Sequence, residues 1–194
     1  MNSDEQEVVK MGVEVALRPI TAVAEDAIGL LGGDWLSEKR RRNRERLRAG
    51  AEEKLKARGA DVDDDPSPSV INPLLSAAQD ESRDELVDLF ASLIATAMDP
   101  KTRSTYRREF VDIAKQLEPV DAAVLPLFAT KEHRNPSRQH YVVEQLKITE
   151  DEYELSKMNL AKLGLLNTKH GDTPQSPSLT PLGRLFVRAV NPPS

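Results

Sequence analysis

DELVDLFASLIATAMDP, residues 84–100, decides the fold. Its Leu86, Leu89, Phe90, Leu93, Ile94 and Ala97 fall at i, i+3, i+4, i+7, i+8 and i+11. On a period of 3.6 residues these positions form one continuous apolar stripe, so the stretch is an amphipathic helix facing a core. Asp99-Pro100 stops it, because proline disfavours helical angles in the residue before it. Asp80 or Ser82 is the expected cap at the other end.

Outward from this helix the chain is punctuated by glycine and proline. Upstream, ADVDDDPSPSVINP (residues 60–73) is acidic, proline-rich and aperiodic, and reads as a linker, with Pro73 opening a short helix through Leu74, Leu75 and Ala78. Before it, Asp34 caps a helix that runs to about Arg58 and stops at Gly59. Residues 5–31 carry a further helical pattern (Val8, Met11, Val15, then Ile20, Val23, Ala27, Leu30), broken near Arg18 by Pro19 and closed by Gly32-Gly33.

Downstream, Ser104 or Thr105 starts a helix with Tyr106, Phe110, Ile113 and Leu117 on one face. Beyond Pro119 come a short helix from Asp121 to Ala129 and a second around Tyr141 to Leu146. Thr149 with Glu152 three residues on is a capping box for a third, which Gly164 closes. LLNTK and SLT read as two short strands around a turn-rich tip, followed by a last helix from Pro181 to Val190. Three helices, a two-stranded hairpin and a helix are the order of a winged helix, and KLGLL…SLTPLGRLF resembles the wing junction of winged-helix regulators. The fold class is therefore mainly α: a helical N-terminal region (residues 1–59), the linker (60–73), a central helical pair (74–118) and a winged-helix-like module (119–194).

Composition narrows function. Aromatics are only 4% of residues, so the core rests on Leu, Ile, Val and Ala, which favours packed helices over a sheet sandwich. The absence of cysteine excludes disulfides, thiol nucleophiles and Cys-based zinc sites. The start MNSDEQEVVK is acidic and unlike a secretory signal. Lys10, Glu14, Arg18, Glu25 and Asp26 interrupt the most apolar stretch, residues 8–31, which therefore makes a poor membrane span. A cytoplasmic protein is expected.

The chemistries of catalysis fail on spacing. No His-x3-His or His-Glu-x-x-His pair is present to set two imidazoles one turn apart as zinc ligands: His133 and His140 are seven apart across a proline-containing loop, and His170 sits in the expected wing. Asp61-Val-Asp63-Asp-Asp65 begins like a calcium loop, but Pro66 and Asn72 occupy the positions that need glycine and glutamate. Gly29, Gly32 and Gly33 lack phosphate-loop spacing, and no Gly-x-Ser-x-Gly elbow exists. The expectation is a non-enzyme with no cofactor.

The most pointed feature is KRRRNRERLR, residues 39–48. Lys39, Arg40, Arg41, Arg42, Arg44, Arg46 and Arg48 on one helix make a positive field suited to phosphates or anionic lipid heads. Equally, Glu38 reaches Arg42, Glu45 reaches Arg41, and Glu52 reaches Arg48 and Lys56 at i,i±4 spacing, so the run also fits a solvated, ion-paired face or one docked on the chain's own acidic linker. The whole chain carries −5, which opposes a general attraction to nucleic acid. The third helix of the C-terminal module opens Glu150-Asp151-Glu152-Tyr153-Glu154, whose carboxylates suit a protein contact better than DNA, with Leu155, Leu160 and Leu163 assigned to the core.

Ordered blocks across the chain resemble the Abi-alpha (abortive infection alpha) family of bacterial proteins. They are ALRPI…GLLGGDWLSEK, RAGAEEKLKARG, SVINPLLSAAQDESRDELVDLFASLIATAMDP, FVDIAKQLEPVDAAVL, LSKMNLAKLGLL and LTPLGRLFVRAV, from about Ala16 to Ala189. The resemblance implies a role in phage defence, in which an infected cell stops growing or dies before progeny are released, and it implies no catalytic set. The expected function is that of a non-enzymatic interaction protein whose N-terminal helices engage a protein partner or a second copy. A winged-helix DNA-binding regulator and an effector lying at the membrane interface are the alternatives.

Overall fold

A computed structural model describes residues 34–60, 67–129, 139–167 and 177–191. The helices expected within residues 5–31, the acidic residues 61–66, the loop 130–138 and the tip 168–176 lie outside the described residues. The chain is mainly α, with eight α-helices and one small two-stranded sheet among the described residues. Its described residues divide into two compact units, one within residues 34–115 and one within residues 116–191.

The first unit is built on three long helices: α1 (Asp34–Ala57), α2 (Pro68–Ala78) and α3 (Asp84–Met98). Twelve of the fifteen α3 residues are buried, more than a surface stripe needs, so this helix is the centre of the unit. It packs against α1, α2, a 3-10 turn at Arg103–Thr105 and the short α4 (Glu109–Ala114). The polar residues drawn inside are satisfied locally, as where the Ser92 hydroxyl donates to the Asp88 carbonyl at 3.1 Å.

Contacts between α1 and α3 ascend together: Arg46 meets Asp84, Lys54 meets Asp88 and Arg58 meets Thr96. The two helices are therefore parallel, and α2 is the returning segment between them. Close approach is possible because Gly50 of α1 has no side chain; a Cβ there would lie 3.1 Å from that of Ala91. Helix α1 ends in a Schellman motif, with Gly59 at φ +55°, Ala60 N–H on the Leu55 carbonyl and Gly59 N–H on that of Lys56.

Several local expectations need correction, among them the helix expected from Asp121 to Ala129, which is an α-helix over Pro119–Val124 followed by a 3-10 turn over Leu125–Ala129. Helix α2 begins at Pro68, so residues 68–73 of the segment read as linker are helical and Pro73 lies inside the helix. Ile71 explains the early start: with Leu74, Leu75 and Ala78 it completes a buried i, i+3, i+4, i+7 stripe. Neither Asp80 nor Ser82 caps α3, whose N-cap is Arg83; the Glu81 carboxylate instead accepts from the backbone N–H groups of Ser82 and Arg83, at 2.8 and 2.9 Å. The helix expected from Ser104 is split into the 3-10 turn and α4, although Tyr106, Phe110, Ile113 and Leu117 are all buried as their spacing requires.

The second unit runs α5 (Pro119–Val124), a 3-10 turn (Leu125–Ala129), α6 (Gln139–Leu146), α7 (Glu150–Lys162), β1 (Leu166–Asn167), β2 (Ser178–Leu179) and α8 (Pro181–Val190). The strands are antiparallel, with Leu166 opposite Leu179. The capping box at Thr149 is present: its hydroxyl accepts from Glu152 N–H at 3.2 Å, and its own N–H donates to the Glu152 carboxylate at 2.7 Å. A second Schellman motif ends α7, with Gly164 at φ +73° and the buried Leu165 and Leu160 as its apolar pair. Thr180 caps α8 and also donates to the Gly164 carbonyl at 2.6 Å, tying the helix start to the end of α7.

Candidate functional site

The basic run lies on α1, and its side chains divide by helical face. Arg40 forks onto Asp80, Nε to Oδ1 at 2.6 Å and Nη2 to Oδ2 at 3.0 Å. Arg46 pairs with Asp84, and one turn or more further on Lys54 pairs with Asp88 at 2.8 Å. These three carboxylates come from the turn before α3 and from α3 itself. They supply the role the sequence had offered to the acidic linker, of which residues 61–66 lie outside the described part.

The outer cations pair along their own helix. Arg41 sits between Glu38 (2.8 Å) and Glu45 (2.7 Å), Arg42 lies 3.7 Å from Glu38, and Arg48 lies 3.2 Å from Glu52. Hydrogen bonding from Arg41 holds the Glu38 carboxyl below its ordinary value, and the same bond raises Arg41. Lys39 stands 6.0 Å from the ring centre of the exposed Trp35, a cation–π contact. Arg44 meets no carboxylate among the described residues.

Asn43, in the middle of the run, is 4% exposed. Its side-chain amide donates to the carbonyls of Gln79 (3.0 Å) and Glu81 (2.6 Å), which leave the C-terminal end of α2. One amide thus satisfies the carbonyl at the C-cap of α2 and another in the turn that follows it. At the other end of the clamp Arg58 donates to the buried Thr96 hydroxyl at 3.1 Å, and desolvation lowers the guanidinium from its ordinary value. Within the run, Arg40, Asn43 and Arg46 thus reach from α1 to Asp80, to the Gln79 and Glu81 carbonyls and to Asp84.

In the second unit, α7 buries Tyr153, Ser156 and Leu160, at i, i+3 and i+7. Leu155, expected in the core, is 63% exposed, and Met158 is 67% exposed. The correction follows from geometry: at 100° per residue, Leu155 stands about 200° around the helix from Tyr153. Beside the exposed pair lie Glu150, Asp151 and Glu154, all exposed, with Lys157 on Glu154 and 5.1 Å above the Tyr153 ring. The inner face is fastened by Asn159, whose amide donates to the buried Asp121 carboxylate at 2.7 Å; Asp121 also accepts from Glu118 N–H at 2.8 Å.

Among the described residues no group of three or more His, Asp or Glu side chains is placed to hold a metal ion, and no helix is long and apolar enough to cross a membrane. His133 and His170, and the apolar residues 8–31, lie outside them.

The sequence model of the family described as abortive infection alpha matches residues 39–190, from the first turns of α1 to the last residue of α8. Searches of the curated proteins and of the solved structures returned no match. A match that takes in both compact units places the chain as a whole: it belongs to the abortive infection alpha family.

Proposed function

We propose that this chain is a non-enzymatic, cytoplasmic interaction protein of an abortive-infection system, and that it docks a partner protein on the outer face of α7. The observation that carries the reading is the exposure of Leu155 and Met158 one turn apart, flanked by Glu150, Asp151 and Glu154. Large apolar side chains held in water beside carboxylates suit the centre and rim of a protein contact, and the carboxylates select a partner with a basic rim. The polar groups gathered in α1, α3 and α5 are engaged in capping and helix clamping, which supports a binding role over catalysis. Residues 1–33 keep the role expected of the N-terminal helices, engagement of a protein partner or a second copy of the chain.

The test is phage challenge of cells carrying the wild-type chain or the double variant L155S/M158S, at equal abundance and with matched circular dichroism melts. The double variant is expected to lose protection, because both positions are solvent-exposed and their change spares the core. Full protection by the variant would sink the α7 reading.

A second reading is a winged-helix DNA-binding regulator, favoured by the order of three helices, an antiparallel strand pair and a helix. The acidic first turn of α7 argues against this helix entering a groove lined by phosphates.

A further inference from the structure

The cations of α1 are largely neutralised, but the loop that follows α3 presents another set. Residues 101–108 read KTRSTYRR, with four cations and no acid. Lys101, Arg103, Arg107 and Arg108 are all exposed, as is Ser104 between them. Among the described residues no carboxylate pairs with Lys101, Arg107 or Arg108, whereas nearly every arginine of the α1 run has one. Arg107 is also fixed in place: its Nη1 donates to the carbonyls of Ser104 (2.8 Å) and Tyr106 (2.9 Å), which seats the guanidinium on the turn by one nitrogen. Tyr106 itself is buried, edge-on to Phe110 at 6.1 Å, so the loop is anchored in the core beneath its charges.

Cations beyond the C-terminal end of α3 also answer that helix's dipole, an effect that fades within a turn. It accounts for Lys101 and leaves the adjacent Arg107 and Arg108 unexplained. A fixed guanidinium is pre-organised for phosphate oxygens, which arginine grips in a planar fork. The exposed large apolar residues among those described (Trp35, Leu155, Met158) lie elsewhere, so this loop has nothing to insert into a lipid surface. It likewise has no exposed aromatic on which a base could stack.

We propose that residues 101–108 form a sequence-independent binding site for the phosphate backbone of duplex nucleic acid, contacted by Lys101, Arg107 and Arg108. This site lies in the first compact unit and stands independently of the α7 reading. Three phosphate contacts would give a slope of log K against log[salt] of about −2.7, or roughly forty-fold weaker binding from 50 to 200 mM salt.

The test is fluorescence anisotropy of the full chain on two fluorescein-labelled 20-base-pair duplexes of unrelated sequence, titrated across that salt range. The wild type is expected to bind both alike with the stated slope, the triple variant K101E/R107E/R108E to lose binding, and R42E/R44E to stay within about threefold, since these two lie near the start of α1 while the loop follows the far end of the parallel α3. Circular dichroism melts of each variant establish that the fold is kept. The proposal is overturned by no binding at 50 mM salt, by equal binding of the triple variant, by loss in the α1 variant alone, or by binding to phosphatidylserine vesicles without binding to the duplexes.

Discussion

Gly183 of α8 faces the Leu165 carbonyl so closely that a Cβ built on it would lie 2.1 Å from the oxygen. The third residue of α8 therefore has to be glycine if Thr180 is to reach both Gly183 N–H (2.9 Å) and the Gly164 carbonyl. Gly183→Ala is expected to cost about 2–4 kcal/mol, since the clash is with backbone and cannot be relieved by a rotamer. Thr180→Ala removes only the cap and its tie, at about 1–2 kcal/mol. Chemical denaturation gives the magnitudes, and hydrogen exchange should place the loss in residues 116–193.

Asn43 is the corresponding fixture of the first unit. Asn43→Ala leaves the carbonyls of Gln79 and Glu81 without their shared donor and is expected to cost about 1–3 kcal/mol. Asn43→Asp should cost more, because a carboxylate would face two carbonyl oxygens. Equal stability of the alanine variant in urea denaturation would show that water replaces the amide.

How far the sequence foretold this depends on the range of each interaction. Helices α7 and α8 were legible to the residue because Thr149, Glu152, Thr180 and Pro181 act within one turn of their own backbone. The start of α2 was hidden because Pro66 and Pro68 punctuate like a linker, while the burial of Ile71 that offsets them is tertiary. The fate of the basic run was half legible. The pairs with Glu38, Glu45 and Glu52 obey i,i±4 spacing, but Asp80, Asp84 and Asp88 reach α1 only through a parallel helix pairing that no local pattern encodes. Leu155 was misplaced because residue type was read ahead of the angle set by Tyr153, Ser156 and Leu160.

The Arg40–Asp80 fork joins side chains that are 22% and 50% exposed. A double-mutant cycle with Arg40→Ala and Asp80→Ala is expected to give a coupling of about 0.5–1 kcal/mol, shrinking in 1 M salt. A coupling unchanged by salt would mean that the fork is held by packing and not by charge.

Acid should loosen the protein. Arg83 holds the Glu81 carboxyl below its ordinary value of 4.5, Arg41 does the same for Glu38, and the Thr149 N–H for Glu152. A carboxylate depressed by folding stabilises above its unfolded value, and that contribution is lost as pH falls through the folded one. The melting temperature is therefore expected to be flat from pH 7 to about 5 with respect to these groups, and to fall below 4.5. Glu81→Gln should fall less steeply. An identical slope in the variant would remove Glu81 from the account.

Lys147, between α6 and α7, holds φ +53°, a left-handed angle filled by glycine at the ends of α1 and α7. Replacing it by glycine removes a cost of about 1–2 kcal/mol in the folded chain, less the entropy glycine adds to the unfolded one. Lys147→Gly should thus raise stability by up to about 1 kcal/mol. A lowered melting temperature would mean that the lysine side chain earns its place by a contact of its own.

The clamp between α1 and the segment 80–88 has a consequence for descent. Because Arg40, Arg46 and Lys54 each answer a carboxylate on another element, a lineage cannot drift at one position without releasing a charge at the other. Substitutions should accumulate there as compensated couples, 40 with 80, 46 with 84 and 54 with 88, while Arg44 is free to wander. A relative that had lost an acid from this set but kept the arginine would carry a naked cation, and with it an opening for a new ligand.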